Sequence, residues 1–189
     1  MKHHLIFEGA ELSGKSWLMS QVYDYLEPKY NKNKAMLDGC HWFNCDVGVY
    51  GTTHGKVIIE KYLEIFKELE NKNLIIEKLH LADKIYRRMH FGEETVYTEL
   101  EEKLNKLNFK IILITFPEDE EILKKRIKDR LSLYPHYKRI LQDPKWYIAQ
   151  QKEYRAELEK SKLPHLIIET NILPDDSLVD KILEWIGEK

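Results

Sequence analysis

The sequence contains little cysteine and no long apolar run, and both features narrow the kind of protein it can encode. Among its 189 residues are only two cysteines, Cys40 and Cys45, which indicates reduced thiols in a cytoplasmic protein rather than a disulfide framework. No run of hydrophobic residues approaches the length that crosses a bilayer, and the N-terminus lacks the layout of a signal peptide. We therefore expect a cytoplasmic protein with no membrane partner.

A basic excess is also missing. The formal net charge is -2, with 33% charged and 43% hydrophobic residues, which is an ordinary balance for a folded domain. Domains that coat nucleic acid usually carry a marked positive charge, so a nucleic acid polymer is not expected as a partner. The length suits one domain built around one core.

Short apolar runs alternate with longer amphipathic stretches. The apolar runs do not alternate with polar residues, which is typical of parallel strands buried on both faces by helices. We expect an α/β protein with a three-layer α/β/α fold and a five-stranded parallel sheet. Predicted strands occupy residues 3–8, 35–37, 73–77, 110–115 and 165–169, and predicted helices residues 15–26, 55–71, 94–107, 118–131, 146–161 and 175–186. Residues 131–144, rich in Tyr, Pro and basic side chains, are expected to form a small mobile lid segment of a single domain spanning 1–189.

The strongest local signal is GAELSGKS at residues 9–16, which matches the pattern G-x-x-x-x-G-K-[ST] at every fixed position. Between a strand and a helix, such a loop surrounds phosphate oxygens with backbone N–H groups, and the helix dipole adds to the attraction. Lys15 can reach the β- and γ-phosphates, and the Ser16 hydroxyl can ligate Mg²⁺. The motif predicts a P-loop that binds ATP and Mg²⁺. Its candidate ligands are Gly9, Glu11, Ser13, Gly14, Lys15 and Ser16.

Residues 7–16, FEGAELSGKS, resemble the phosphate loop of the thymidylate kinases, F-E-G-x-[DE]-x-[SA]-G-K-[ST]. Residues 123–130 are similar to the helix that leads into the lid of thymidylate and deoxynucleoside kinases, and residues 154–170 are similar to their C-terminal portion. The resemblance implies a P-loop NTPase fold, transfer of the γ-phosphoryl group of ATP to a nucleoside monophosphate, and a homodimer. It also implies that Glu11 holds a hydroxyl of the acceptor sugar.

Charged residues at predicted strand ends are candidates for the acceptor side, because ligands of open α/β sheets collect at the carboxyl ends of strands. Glu77 would hold Mg²⁺ through water or orient the acceptor. Lys78 stands where the resemblance implies an arginine for the acceptor's phosphate, and it supplies the charge without two-pronged hydrogen bonding. Asp38 follows the predicted strand 35–37 and could accept the proton of a 5′-hydroxyl. The alternative for Asp38 is a turn residue before Gly39.

Arg126 and Arg130 lie beside the lid segment and are predicted to stabilise the charge that spreads over the phosphoryl group during transfer. The alternative is a basic helix face that pairs with residues 118–121. Closure of the lid segment would also exclude water, which otherwise accepts the phosphoryl group.

Aromatic side chains near the second predicted strand are candidates for binding a nucleobase between their faces. They are Trp42, Phe43 and Tyr50, and Arg87 is a further candidate for contact with the acceptor. Core packing for the aromatic residues and a surface role for Arg87 are the alternatives. The group Cys40, His41, Cys45 and His54 matches no tight zinc-ligand spacing.

The resemblance fails at one informative place. No arginine precedes Arg87, so the arginine that the thymidylate kinase motif supplies after strand two for the acceptor phosphate is missing. Either lysines such as Lys56 and Lys78 bind that phosphate, or the acceptor has none and the enzyme is a deoxynucleoside kinase with Asp38 as base. A third hypothesis is a P-loop nucleotide-binding module without an acceptor, although the chain has no guanine-reading N-K-x-D motif.

Overall fold

The computed structural model describes residues 2–33 and 35–189. Five parallel strands alternate with helices that cover both faces of the sheet. The strands are β1 (His4–Glu8), β2 (Cys40–Asn44), β3 (Asn73–Glu77), β4 (Phe109–Thr115) and β5 (His165–Glu169). The α-helices are α1 (Lys15–Tyr30), α2 (Gly55–Glu68), α3 (His80–Phe91), α4 (Thr98–Lys106), α5 (Glu120–Leu133), α6 (Pro144–Leu158) and α7 (Asp176–Ile186), and a 3₁₀ helix spans Pro135–Arg139.

The strand order is β2-β3-β1-β4-β5, with β1 at the centre. Registers align the carboxyl ends of neighbouring strands: Phe7 pairs with Glu77, and Glu77 pairs with Asn44. The segments that follow β1, β2 and β3 therefore leave the sheet side by side at the carboxyl ends of these strands. This edge is where parallel α/β sheets bind their ligands.

The sheet packs between two hydrophobic layers, one on each face. Leu5 and Phe7 face α1 and α7, whereas Ile6 faces the layer built from α2 to α6, and all three side chains are fully buried. Burial on both faces explains why β1 reads as a continuous apolar run. The three-layer α/β/α fold with a five-stranded parallel sheet is confirmed. Within the part of the chain that the structure describes, no helix combines the length and apolarity that a membrane crossing requires.

The predicted strand at residues 35–37 is wrong. Met36 and Leu37 are exposed, and Asn31 Nδ2 donates to the carbonyl of Met36. The carboxylate of Glu27 accepts the N–H groups of Gly39 and Cys40, which fixes the turn before β2. As an edge strand, β2 alternates in burial and lacks the apolar run that identifies the central strands. The second strand therefore lies five residues later than expected.

The sequence pattern does not predict α3, and the helix it predicts at residues 94–107 corresponds to the shorter α4. Leu81, Ala82 and Ile85 form the buried face of α3. A buried carboxylate helps to start α3, because Glu8 Oε1 accepts the N–H groups of Leu79 at 2.9 Å and Ala82 at 3.4 Å. Burial raises the pKa of Glu8. The first turn of α3 is thus tied to the strand that leads into the phosphate loop.

Candidate active site

The loop at residues 9–14 joins β1 to α1, as the motif predicts. Gly9 has φ +138° and Gly14 has φ +86°, backbone conformations that favour glycine. A Cβ atom on Gly9 would lie 2.2 Å from the carbonyl oxygen of Ile114. The tight turn and the neighbouring strand β4 both require glycine here, so the predicted strand-to-helix turn is confirmed.

Lys15 begins α1 and folds back over the loop. Its Nζ donates to the carbonyl oxygens of Gly9 at 2.8 Å and Ala10 at 3.0 Å. Burial disfavours the ammonium, and despite the opposing charge of Glu11 the pKa of Lys15 falls to about 8. The amine can therefore lose its proton at mildly basic pH.

Ser16 and Glu77 provide two neighbouring oxygen atoms beside the loop that could serve as metal ligands. Ser16 Oγ donates to Glu77 Oε1 at 3.2 Å. Mg²⁺ favours oxygen ligands and commonly takes one or two from the protein and the rest from phosphates and water. Over residues 2–33 and 35–189, no group of three or more His, Cys, Asp or Glu side chains could hold a metal by itself. The Ser16–Glu77 pair fits a magnesium that is shared with a nucleotide.

Lys78 lies between two carboxylates. Its Nζ is 2.7 Å from both Glu11 Oε1 and Asp46 Oδ2, and 3.1 Å from the hydroxyl of Tyr86. Burial opposes ionisation of both Glu11 and Lys78. Their mutual attraction outweighs it, lowering the pKa of Glu11 to about 2 and raising that of Lys78 well above its ordinary value. The Glu11–Lys78 salt bridge therefore stays fully ionised at neutral pH.

The two arginines of α5 make different contacts. Arg126 donates to the carbonyl oxygens of Leu12, Thr170 and Asn171, at 2.7 to 2.8 Å, and to the Thr170 hydroxyl at 3.2 Å. It thus joins the phosphate loop to the segment after β5. Arg130, one turn later, lies 3.6 Å from Glu11 Oε2.

A cleft of about 1560 Å³ opens over this edge of the sheet. The phosphate loop, including Lys15 and Ser16, lines its floor, and Glu77 and Lys78 line the wall beside it. α5 and the lid segment line the opposite wall through Arg126, Arg130 and neighbouring side chains. The cleft therefore joins a phosphate-binding loop to a second compartment around Glu11, Asp46 and Lys78.

Three solved structures are similar to this chain over nearly its full length. The YorR protein from Bacillus subtilis, in complex with phosphorylated GDP, matches with a TM-score of 0.65 and 18% identity, over 96% of this chain and 94% of its own. Deoxyadenosine kinase from M. mycoides with bound dATP has a TM-score of 0.58 and 16% identity, with coverages of 98% and 99%. Thymidylate kinase from Ehrlichia chaffeensis has a TM-score of 0.57 and 12% identity, with coverage of 98% for both chains.

The chain has the P-loop kinase fold. No protein-family model matches it, and no curated protein sequence does either. The likeness is one of architecture, and the residues that act within that architecture have to be assigned from this chain's own geometry.

In the P-loop kinase fold, ligands bind at the carboxyl ends of the strands, whereas Asp38 lies near their amino ends. It precedes β2, so the strand, roughly 17 Å long at this length, separates it from the cleft. Lys72, just before β3, bonds both carboxylate oxygens of Asp38 at 2.7 and 2.8 Å and lowers its pKa. The predicted position of Asp38 beside the phosphates is wrong, because β2 begins after it rather than before it.

The aromatic residues predicted to hold a nucleobase lie elsewhere. Trp42 and Phe43 are β2 residues whose side chains point to opposite faces, Trp42 toward Tyr23 and Phe43 toward Phe66 in the core. Tyr50 is buried, and none of the three lines the cleft. The cleft's aromatic lining instead comes from α1, α3, the lid segment and α6, through Trp17, Tyr86, His90, Tyr134, Tyr137, Trp146 and Tyr147.

Arg87 does not line the cleft either. It donates to the carbonyl of Thr52 at 3.0 Å and pairs with Glu93. Asp46, by contrast, is a cleft residue that is not among the predicted site residues. Correct placement of β2 would have found it, since Asp46 follows the carboxyl end of that strand by two residues.

Proposed function

We propose that this protein is a kinase that transfers the γ-phosphoryl group of ATP to a nucleoside-type acceptor. One observation carries the proposal: the P-loop residues Lys15 and Ser16 and the acceptor-side residues Glu11, Asp46 and Lys78 line a single cleft. A nucleotide-binding module needs only the first set. Residues 1–189 would form one kinase domain, with residues 131–144 as its lid.

The donor end would hold the triphosphate through the loop amides and Lys15, which can move from its carbonyl partners to the β- and γ-phosphates. Ser16 and Glu77 would hold Mg²⁺, which neutralises charge on the β- and γ-oxygens when it is bound. Arg130 would face the transferring group and stabilise the charge on its equatorial oxygens. Positioning and charge stabilisation are the main contributions that phosphoryl transfer needs from a protein.

The acceptor end favours a neutral hydroxyl over a phosphate. Of the residues that line the cleft from β2, β3, α3 and the turns after the strands, Lys78 alone is a lysine or arginine. Its ammonium is already paired with Glu11 and Asp46 at 2.7 Å. A phosphate dianion beside Lys78 would compete with two carboxylates for its ammonium, at the cost of breaking partly buried salt bridges. The geometry therefore supports a nucleoside acceptor better than the monophosphate that the sequence resemblance implies.

Asp46 would take the role that the sequence analysis gave to Asp38. It lies at the carboxyl end of β2, opposite Glu11 across Lys78. A carboxylate in hydrogen-bond reach of the acceptor hydroxyl can accept its proton as the phosphoryl group arrives. Glu11 would then hold a second sugar hydroxyl.

A stacked aromatic wall lies on the same side of the cleft and would receive the base. Tyr86 stacks on His90 with ring centroids 6.0 Å apart, and His90 lies 5.9 Å from Trp146. Flat apolar faces with polar edges suit a planar heterocycle.

An acceptor panel tests the proposal. ATP and Mg²⁺ are incubated with each nucleoside and each nucleoside monophosphate, in ribose and deoxyribose forms, and products are separated by ion exchange. We expect phosphorylated nucleosides. Products from monophosphates alone would favour the nucleotide kinase hypothesis, and slow ATP hydrolysis that no acceptor stimulates would overturn the kinase assignment.

Asp46→Asn is expected to lower kcat for the nucleoside about 10²-fold, at the lower end of general-base effects because the transition state is loose. The KM values for ATP and acceptor should change little, since the amide keeps the shape of the carboxylate. Asp38→Asn is the matched control and should keep full activity. Equal losses in the two variants, measured by steady-state kinetics, would rule out a special role for Asp46.

The affinity for ATP should fall as pH rises through about 8. Because the pKa of Lys15 lies near 8 rather than at its ordinary value, the ammonium that binds phosphate is fully present only below that pH. Each pH unit above it should raise the measured Kd for ATP about tenfold. Calorimetric titration from pH 6.5 to 9.5 measures this, and Lys15→Arg, which keeps its charge throughout, should give a flat profile. A wild-type Kd that stays constant to pH 9.5 would contradict the assignment.

A further inference from the structure

The guanidinium of Arg130 lies against an aromatic ring of the lid segment. Its Cζ is 4.1 Å from the centroid of the Tyr137 ring, well inside the distance at which a cation is attracted to a ring face. Tyr137 belongs to the 3₁₀ helix Pro135–Arg139, and both residues line the cleft.

Main-chain hydrogen bonds fix this stack. The N–H of Tyr134 donates to the carbonyl of Arg130 at 2.8 Å, and the N–H of Tyr137 donates to the carbonyl of Tyr134 at 3.0 Å. The chain thus turns back directly after α5. This turn brings a ring seven residues farther along the sequence over the arginine.

The guanidinium of Arg130 makes no side-chain hydrogen bond to the residues that the structure describes. Its Nη1 is 3.6 Å from Glu11 Oε2, too far for a hydrogen bond. The Nε atom is buried and has no hydrogen-bond partner among the residues that the structure describes. Arg126, by contrast, makes four hydrogen bonds to protein oxygens. The ring of Tyr137 therefore orients the guanidinium plane of Arg130 without occupying its N–H groups.

We propose that Tyr137 is a positioning residue for phosphoryl transfer, whose ring face holds the Arg130 guanidinium toward the transferring group. The inference rests on the proposed kinase function. An arginine side chain free to sample its rotamers loses entropy when it binds, and a stacked guanidinium has lost part of that freedom beforehand. The 3₁₀ turn places the ring of Tyr137 on Arg130, so the fold of the lid segment sets the orientation of the guanidinium.

Tyr137→Ala should lower kcat about 5- to 30-fold, the range that corresponds to a partly desolvated cation–π contact. The KM values for ATP and acceptor should stay within about twofold of wild type. Tyr137→Phe keeps the ring face and should recover most of the turnover. Lys138→Ala, an exposed neighbour in the same turn, is the matched control and should behave as wild type.

A double-mutant cycle separates positioning from a structural effect. In an Arg130→Ala background, Tyr137→Ala should cause no further loss, because its partner is already gone. The Arg130 Nε–H signal in ¹⁵N NMR should show a ring-current shift in wild type and in Tyr137→Phe, and lose it in Tyr137→Ala. An active wild-type enzyme with unchanged kcat in Tyr137→Ala, or losses that multiply in the double variant, would overturn the inference alone. A wild-type protein that phosphorylates no acceptor would overturn the proposed function and the inference with it.

Discussion

Lys15→Met is expected to lower kcat/KM for phosphoryl transfer about 10³-fold or more. Loss of one preorganised donor commonly costs about 10²- to 10³-fold, and Lys15 brings a full charge as well. Methionine preserves much of the length of the side chain, so the loop should keep its shape. Steady-state kinetics with the preferred acceptor, together with calorimetric ATP binding, measures the loss.

The folded state should survive this substitution. Lys15 is 6% exposed, and replacing a buried ammonium with a thioether removes a desolvation penalty. The substitution also leaves the carbonyl oxygens of Gly9 and Ala10 without the Lys15 donor, which opposes this gain. The melting temperature should therefore stay close to that of wild type. Lys124→Met is the control, at an exposed position on α5 where the lysine pairs with Glu121. It should leave both kcat/KM and the melting temperature unchanged. Full ATP affinity and turnover in Lys15→Met would remove the basis of the proposed function.

Arg130→Ala should lower kcat about 10³-fold while leaving the KM for ATP nearly unchanged. An arginine that stabilises charge only in the transition state contributes about 10³- to 10⁵-fold in comparable phosphoryl transfers. Arg130→Lys should recover part of the rate, since lysine restores the charge but not the planar donor geometry. Single-turnover measurements would separate the chemical step from product release.

Arg126→Ala gives the contrasting result. Its guanidinium bonds the oxygens of Leu12, Thr170 and Asn171, so removal leaves several carbonyl groups without their donor. We expect a higher KM for ATP and a lower melting temperature, with a smaller effect on kcat than in Arg130→Ala. If Arg126→Ala instead lost kcat alone at an unchanged melting temperature, the roles of the two arginines would be reversed.

The sequence predicted the central strands well because burial on both faces leaves a strong signature. The central strands β1, β3 and β4 lie within a residue of their predicted bounds. β5 does so as well, because this edge strand still contains the apolar run Leu166–Ile168. β2 was missed because its sequence, CHWFN, contains no aliphatic run and because Met36 and Leu37, though apolar, lie exposed in a turn. Because β2 was misplaced, Asp38 was predicted at the wrong end of the strands and Asp46 was not predicted to lie in the cleft.

The phosphate-binding half of the site could be predicted for a related reason. Residues 9–16 lie together in the chain, so local geometry alone would bring their groups to one phosphate. The proposed acceptor half is assembled from Glu11, Asp46, Lys78 and Tyr86, which meet only when the sheet is formed. Arg126 and Arg130 lie one helical turn apart on the same face of α5, and only their tertiary contacts distinguish an anchor from an open donor.

The four hydrogen bonds of Arg126 also provide a fixed point about which the following segment could move. They pin α5 to the donor-side loop at that residue, while Arg130 and everything up to residue 143 lies beyond it. Movement of the segment after Arg126 would open the proposed acceptor compartment and leave the contacts between Arg126 and the phosphate loop unchanged. We therefore expect one acceptor molecule to be exchanged for another while a nucleotide stays bound.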